Sequence, residues 1–218
     1  MKAMAQNFEF QFDPIMSFDE MRVVGFQIVP QKGHEQVFVY DEKNPNELNR
    51  LINLYKQLFQ KCLQADDFLE KEYMLYIPVD VNALVVDFGE IFLEELQALH
   101  EKGMSFDKMI IQIKEHDFSG DIENLYYLIR YYRTYGILFA IDLYEMGKSN
   151  IERIRLLKAD ILKVNLSDEQ IQKYPLEAQD LLATLSSLMR KTGTTIFFDK
   201  ICSDIHLYNA WKNNGRYL

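Results

Sequence analysis

Six positions that could do chemistry lie in or next to short apolar runs of the sequence. They are Gln27, Pro78, Gln112, Asp142, Lys163 and Asp199. Divalent metals such as magnesium prefer carboxylate oxygens, and a lysine beside such an ion can hold a phosphate or an attacking water. Asp142 and Asp199, helped by water, would hold such an ion only loosely, because the two glutamines are neutral amides and proline has no side-chain oxygen. By residue type alone, this set offers two carboxylates and one ammonium group to a metal ion or a phosphate.

The composition restricts the class of protein. The chain has 218 residues with 48% hydrophobic content, and its net charge is −9. This size fits a single domain over residues 1–218, and the acidic balance excludes duplex nucleic acid as a partner. No stretch has the long apolar run of a signal peptide or a membrane helix, so we expect a cytoplasmic protein without membrane insertion. Cys62 falls on an apolar helical stripe, which predicts a buried thiol.

Apolar runs alternate with segments of helical period, and this order predicts a mainly parallel α/β sheet, open or closed into a barrel. The clearest helix follows the start signal Asn44-Pro45-Asn46. The predicted strands are Met21–Val29, Tyr73–Ile77, Met109–Ile113, Ile137–Ile141, Ile161–Val164 and Thr195–Phe198, with a short one at Val37–Tyr40 in the polar loop Pro30–Asn46. The further predicted helices are Ile91–His100, Ile122–Tyr135, Asn150–Lys158, Leu176–Lys191 and Ser203–Lys212.

Five segments, in order along nearly the whole chain, resemble the motifs of EAL-type cyclic-di-GMP phosphodiesterases. They are FDPIMSFDEMRVVGFQIV, YIPVDVN, IIQIKEH, FAIDLYEMGKSNIERIRLLKADILKVN and IFFDKI. The family patterns that they resemble are Y-Q-P-I with V-x-G-x-E-A-L, then S-V-N-L-S, L-E-I-T-E, A-x-D-D-F-G with L-K-I-D, and V-A-E-G-V. The stretches EHDFSGDIENLYYL and YYRTYGI are most similar to the YkuI-type subgroup. The resemblance implies a (β/α)8 TIM-like barrel, in which the six secure strands leave the last strand either absent or supplied unusually.

The resemblance also assigns roles to positions in this sequence. Gln27 and Gln112 stand where the family has metal-binding glutamates, and Pro78 stands where it has a metal-binding asparagine. Asp142 matches the first aspartate of the D-D pair and Lys163 matches the family lysine. The remaining correspondences are Leu143 for the second aspartate, Asn165 for the final aspartate of L-K-I-D, Asp199 for a glutamate, and Glu115 for the second acidic place. In the family these groups hold one or two divalent ions that activate a water, so we expect no catalytic cofactor here, with weakly held Mg²⁺ or Mn²⁺ as the alternative.

Binding of the dinucleotide is a separate question from cleavage. Gln31 replaces the family arginine that contacts a phosphate, and Asp13 adds a negative charge where the family has an amide. Both changes disfavour a dianionic ligand. Lys148, Arg153 and Arg155 could contact phosphate, although charges so spaced are typical of a solvated helix face. The remaining candidate contacts are Gln27, Gln112, Asp142, Lys163 and Asp199, with Lys163 more simply explained as a charge-paired lysine.

Three functions follow from this pattern. The first is a catalytically inactive EAL-like domain of bacterial cyclic-di-GMP signalling that acts through a protein partner or as a homodimer, through the helix near Asn150–Lys158. The second is a receptor that binds cyclic-di-GMP without cleaving it. The third is a slow phosphodiesterase that uses Asp142 and Asp199. A tyrosine cluster from Tyr126 to Tyr135 is expected to serve packing or a partner surface.

Overall fold

Seven strands form one sheet in the order of the chain. The computed structural model describes residues 8–17, 19–30, 37–64, 73–114, 118–143, 151–165, 180, 183–185, 187 and 190–199, without the side chains at 143, 151–153, 165 and 199. The strands are β1 Phe10–Met16, β2 Val23–Pro30, β3 Met74–Pro78, β4 Met109–Ile113, β5 Leu138–Leu143, β6 Ile161–Asn165 and β7 Thr195–Asp199. The helices are α1 Glu47–Gln64, α2 Val81–Leu84, α3 Phe88–Glu101, α4 Ile122–Arg133 and α5 Ile151–Leu157, with a 3-10 turn at Phe106–Lys108.

The first strand is the one that the sequence pattern did not predict. β1 pairs antiparallel with β2, whereas each later pair of neighbours is parallel. Pro14 lies inside β1, and a proline normally argues against a strand because it cannot donate a ladder hydrogen bond. Proline is tolerated at the edge of a sheet, and β1 forms the edge of the described sheet.

Two separate hydrophobic cores indicate a curled sheet. The larger core lies between the sheet and the helices and includes Leu54, Phe92 and Ile129. The smaller core takes one residue from each strand, and none of its described members is helical. Its members are Ile15, Val24, Tyr76, Ile110, Ala140, Ile161 and Phe197. An inner face filled by strand side chains is the arrangement of a TIM-like barrel, so the predicted fold class is confirmed over the seven described strands.

The start of β2 is adjusted by one extra residue. The pairing with β1 runs from Ile15↔Gly25 to Met16↔Val23, which leaves Val24 unopposed and turns its side chain into the inner core. Gly25 allows β3 to approach closely, since a Cβ atom at this position would lie 2.5 Å from the Met74 carbonyl oxygen. The glycine of the V-x-G pattern therefore sets the position of Gln27, two residues further on.

The short strand predicted at Val37–Tyr40 is wrong. This segment is a turn followed by residues without regular structure. Its backbone bonds to side chains instead of a neighbouring strand: Arg50 donates to the carbonyls of Val37 and Val39 at 2.7 and 2.8 Å. Asp80 accepts a hydrogen bond from the Tyr40 amide at 3.0 Å. These side chains satisfy the polar backbone that a strand would have paired.

Most predicted helices appear close to their expected bounds. The start signal at 44–46 is confirmed, because α1 begins at Glu47 and the Asn44 carbonyl accepts its amide. Cys62 is 2% exposed, as predicted, and burial raises the pKa of its thiol to about 12. The predicted helix Ser203–Lys212 and most of Leu176–Lys191 lie outside the described residues. No helix in the described ranges is long and apolar enough to cross a bilayer.

Candidate functional site

Strand register brings the candidate residues to one face at the carboxyl ends of the parallel strands. Pro78 pairs with Gln112, Asp142 with Lys163, and Asn165 with Asp199. Side chains alternate along a strand, so positions two residues beyond the inner-core members point to the same inner face. Gln112 follows Ile110, Asp142 follows Ala140, and Lys163 follows Ile161. The sequence-predicted positions thus lie at the end of the barrel where such folds place their sites.

Asp142 is the centre of a buried polar cluster. The amide Nε2 of Gln112 donates to its Oδ2 atom at 3.1 Å, and the Lys163 ammonium lies 4.0 Å from the same oxygen. All three side chains are buried, with 7% of Gln112, 7% of Asp142 and 3% of Lys163 exposed. A buried carboxylate needs compensating charge and hydrogen bonds, and these two donors supply both. The prediction that Lys163 is charge-paired is therefore confirmed.

Two aromatic side chains, Phe197 and Tyr76, lie next to this cluster. The Lys163 ammonium is 5.7 Å from the centre of the Phe197 ring, within the range of a cation–π contact. Phe197 in turn packs on Tyr76, with ring centres 5.5 Å apart. Lys163 is thus held between an aromatic face and a carboxylate.

Pro78 contributes no ligand atom that is free to bind a metal. It lacks a polar side chain, and its carbonyl oxygen accepts a hydrogen bond of 2.6 Å from the Tyr55 hydroxyl. Burial raises the pKa of Tyr55 well above its usual value, so this hydroxyl remains a donor. The sequence did not indicate this contact, because Tyr55 lies on α1 in a stripe that reads as core.

Gln27 and Asp13 lie side by side at the β1 edge. The two residues are direct partners in the antiparallel ladder, so their side chains share one face. The half-buried Asp13 accepts a hydrogen bond from Gln11 at 2.7 Å through its carboxylate. The structure therefore places the added negative charge beside a candidate ligand position.

Among the remaining candidate groups, Arg155 has a described side chain. It is exposed on α5, consistent with a helix face. The other groups lie outside the described residues or have undescribed side chains: Gln31, Glu115, Leu143, Lys148, Arg153, Asn165 and Asp199.

The described side chains do not fit a divalent metal. No group of three or more His, Cys, Asp or Glu residues in the described ranges is arranged to hold an ion. Asp142 Oδ2 faces the Gln112 amide N–H at 3.1 Å and the Lys163 ammonium at 4.0 Å, and these two groups repel a cation near that oxygen. The Oε1 atom of Gln112 has no hydrogen-bond partner among the described residues. It is a neutral oxygen beside a single compensated carboxylate, whereas Mg²⁺ is usually held by one or two carboxylates with waters completing its six ligands.

Asp80 is a site-edge residue that the pattern analysis missed. It follows β3 by two residues, accepts the Asn82 amide at 2.8 Å as the cap of α2, and holds the Tyr40 amide with its other oxygen. An aspartate directly before a helical segment is an N-cap signal, so the sequence did contain a clue. Through these hydrogen bonds Asp80 holds Tyr40, which lies between β2 and α1, close to the end of β3.

The barrel and the inner-face positions at its strand ends define a class of protein. The sequence pattern of the EAL domain matches residues 2–214, and the chain belongs to the EAL domain family. It is 34% identical to the EAL-domain-containing protein YkuI of Bacillus subtilis strain 168, over 95% of this chain and 52% of YkuI. This supports the YkuI-like subgroup. The chain thus spans about half the length of this relative.

Solved structures show the same fold. The crystal structure of Bacillus subtilis YkuI in complex with cyclic-di-GMP and calcium matches with a TM-score of 0.80, over 95% of this chain and 53% of that one. The manganese and cyclic-di-GMP complex of Klebsiella pneumoniae BlrP1 at pH 6 matches with a TM-score of 0.77 at 17% identity, over 100% of this chain and 55% of that one. A standalone EAL protein from Vibrio cholerae O395, bound to cyclic-di-GMP, gives 0.73 at 17% identity, over 97% and 90%. The last two likenesses concern the fold alone.

Proposed function

We propose that this chain is a catalytically silent EAL domain of cyclic-di-GMP signalling that acts through protein contact. The observation that supports it best is the state of Asp142, whose carboxylate is compensated by Gln112 and Lys163. Metal-dependent cleavage of a phosphodiester needs an ion that lowers the pKa of a water and neutralises developing charge. With Asp142 engaged and Pro78 and Gln112 in ligand positions, the described side chains supply too little negative charge to hold that ion.

A phosphodiesterase assay tests the loss of activity. Purified protein is incubated with cyclic-di-GMP in Mg²⁺ and in Mn²⁺, and the linear product is separated by chromatography. We expect no turnover above the buffer background, with an active EAL enzyme in parallel as the positive control. Turnover that the Asp142→Ala variant abolishes would contradict the proposal and favour a slow phosphodiesterase built on Asp142 and Asp199.

Restoring the family ligands tests the assignment of positions. The triple variant Gln27→Glu, Pro78→Asn and Gln112→Glu is expected to gain Mn²⁺ affinity measurable by calorimetry, because it returns two carboxylates and an amide oxygen to the inner face. Activity need not return with metal binding, since the groups that orient the ligands also matter. A triple variant that folds but binds no Mn²⁺ would show that these strand ends are not the family's metal positions.

A second candidate is a receptor that binds cyclic-di-GMP without cleaving it. The complex of YkuI with cyclic-di-GMP favours this function, because that relative shares 34% identity. Against it, Gln31 in place of an arginine and the carboxylate of Asp13 together cost about 2 to 5 kcal/mol of contacts to phosphate. A micromolar ligand is bound by about 8 kcal/mol, so that loss moves the affinity to high micromolar or weaker.

Calorimetric titration with cyclic-di-GMP, with and without Mn²⁺, separates the two candidates. If the domain acts through protein contact alone, we expect no heat of binding at low micromolar cyclic-di-GMP. A low-micromolar or tighter constant, weakened by Lys163→Ala, would replace the first function with the receptor.

A further inference from the structure

A cavity lies at the amino ends of the parallel strands, opposite to the candidate site. It opens where β3, β5, β6 and β7 begin, and the first residue of each of these strands lines it. These four residues are Met74, Leu138, Ile161 and Thr195. Because β3 runs from Met74 to Pro78, the cavity is about 13 Å away from the strand ends that carry Gln112 and Asp142. It is therefore a separate place in the barrel.

The floor of the cavity is aliphatic. Ile161 belongs to the smaller core, and Met74 and Leu138 pack against that core while remaining half-buried. The interior of a barrel of this class is normally filled by layers of strand side chains. Here the first layer leaves a cavity of about 270 Å³. An apolar cavity of about 150 Å³ holds a benzene molecule, so this one has room for about ten non-hydrogen atoms.

The rim of the cavity is polar and is held by hydrogen bonds between two turns. The Thr194 hydroxyl donates to the Ala159 carbonyl at 2.9 Å, and the Thr195 amide donates to the Asp160 carbonyl at 2.9 Å. These bonds join the turn before β6 to the turn before β7. A ligand would therefore meet a wall that is already ordered, and such a wall loses little conformational entropy on binding.

The charges at the rim favour an anion. The ionisable residues of the wall are Lys158 and Asp160. Arg133 donates to Asp160 Oδ2 through Nε at 3.1 Å and through Nη2 at 2.9 Å, and the Phe139 amide donates to the same oxygen at 2.9 Å. The Asp160 carboxylate is thus compensated. Lys158 is exposed at the rim, and so is Lys191, which directly precedes the turn before β7. The balance of charge at the mouth of the cavity is therefore positive, although the chain as a whole carries −9.

We propose that this cavity binds a medium-chain aliphatic carboxylate, with the tail on the aliphatic floor and the head beside Lys158. A tail of about eight carbons with its carboxylate has about the ten non-hydrogen atoms that the volume admits. The head stays at the open mouth next to an ammonium group, so no unpaired charge is buried. One lysine in the wall matches one negative charge. The guanidinium that could grip a phosphate with two parallel bonds, Arg133, is already engaged by Asp160.

Two probes with the same tail and opposite heads test this site. Sodium octanoate and octylammonium chloride are titrated separately into the full chain, which carries labelled isoleucine, leucine and methionine methyl groups for NMR. For octanoate we expect saturable shifts centred on Met74, Leu138 and Ile161 with a Kd of about 0.1 to 1 mM, and for octylammonium a Kd at least about tenfold higher. Equal affinity for the two heads, shifts confined to other methyl groups, or no shift up to about 5 mM octanoate would each overturn the proposal.

Matched variants separate the head from the tail. Lys158→Gln should raise the octanoate Kd about fivefold without weakening octylammonium, whereas Lys43→Gln, the same change at an exposed lysine before α1, should alter neither. Met74→Phe fills the floor and should abolish octanoate binding, and Thr195→Leu is a second, smaller filling change. Circular dichroism identifies the folded variants. Unchanged octanoate affinity in Lys158→Gln, or in a folded filling variant, would contradict the site. These outcomes are independent of the cyclic-di-GMP assays, so either proposal can fail alone.

Discussion

Replacing Gln112 with glutamate is expected to destabilise the protein by about 3 to 4 kcal/mol at neutral pH and to have little effect near pH 4. Gln112 is 7% exposed, and its Nε2 atom lies 3.1 Å from Asp142 Oδ2, so the new carboxyl would contact a carboxylate. Lys163, at 4.0 Å, balances only one of two negative charges. Two buried carboxyl groups in contact cannot both ionise, so the pair retains one proton in the folded state.

The magnitude follows from that retained proton. A glutamate carboxyl ionises near pH 4.3 in the unfolded chain. For every pH unit above this at which the folded state keeps it protonated, the protein loses about 1.4 kcal/mol of folding free energy. The new carboxyl has a higher pKa in the folded than in the unfolded state. The variant is therefore as stable as the parent below the unfolded pKa, and its folding free energy falls below that of the parent as the pH rises. At low pH the protonated carboxyl can donate to Asp142 much as the amide does now.

Urea unfolding followed by circular dichroism, in EDTA at several values between pH 4 and pH 7, measures this difference. The matched control is Gln112→Met, which removes the donated hydrogen bond without adding a charge and should lose about 1 to 3 kcal/mol at every pH. A Gln112→Glu variant whose stability runs parallel to that of the parent would refute the buried contact with Asp142.

Manganese gives the same substitution a second readout. A cation between the two carboxylates would replace the retained proton, so Mn²⁺ should recover part of the lost stability, about 2.7 kcal/mol at a hundred times its Kd. The parent should gain much less, because the Gln112 amide carries no negative charge and the Lys163 ammonium lies 4.0 Å from Asp142 Oδ2. Equal stabilisation of parent and variant would contradict that explanation.

Two further predictions concern α1. Burial alone would raise the pKa of Glu47, but the hydrogen bond and charge of Arg50, together with two further hydrogen bonds, hold that pKa below its usual value of 4.5. Glu47→Gln should therefore cost about 1 to 3 kcal/mol at pH 7 and little well below pH 4.5, as urea unfolding at both pH values would show. An equal loss at both would be inconsistent with the ion pair. Cys62 in a Cys202→Ser background should react with a thiol reagent at least about a thousandfold more slowly in the folded than in the unfolded protein, since its pKa rises from 9.0 to about 12, and rapid labelling of the folded protein would contradict its burial.

The parts of the fold that could be predicted are those in which local sequence and burial agree. Strands β2 to β7 were expected because both faces of a barrel strand are covered, which produces near-continuous apolar runs. The helix α1 was expected because its start signal and its apolar spacing coincide. β1 was not predicted, because Pro14 and a mixed polar pattern hide an edge strand. The strand predicted at Val37–Tyr40 was wrong, because a composition typical of strands cannot show that side chains will form the hydrogen bonds to this backbone.

The site could be predicted in position but not in its internal bonding. The motif order placed Gln112, Asp142 and Lys163 at strand ends, and the register confirms that placement. The hydrogen bond from Gln112 to Asp142 joins residues thirty positions apart along a diagonal between β4 and β5. Such a contact depends on the stagger of the strands and on the side-chain conformations, and neither is encoded in a local pattern. From sequence alone, Gln112 was therefore only a lost ligand.

In the structure Gln112 also donates a hydrogen bond to Asp142, and this contact changes how the site should respond to mutation. A buried carboxylate at Asp142 must be compensated by a metal or by protein donors. Gln112 and Lys163 supply the donors, so the amide that weakens metal binding also makes the metal unnecessary for stability. Adding a carboxylate at position 112 alone removes a donor and introduces a repulsive charge before the remaining ligands exist. The effects of Gln27→Glu, Pro78→Asn and Gln112→Glu in Mn²⁺ should consequently be non-additive, with the triple variant more stable than the sum of the single changes predicts.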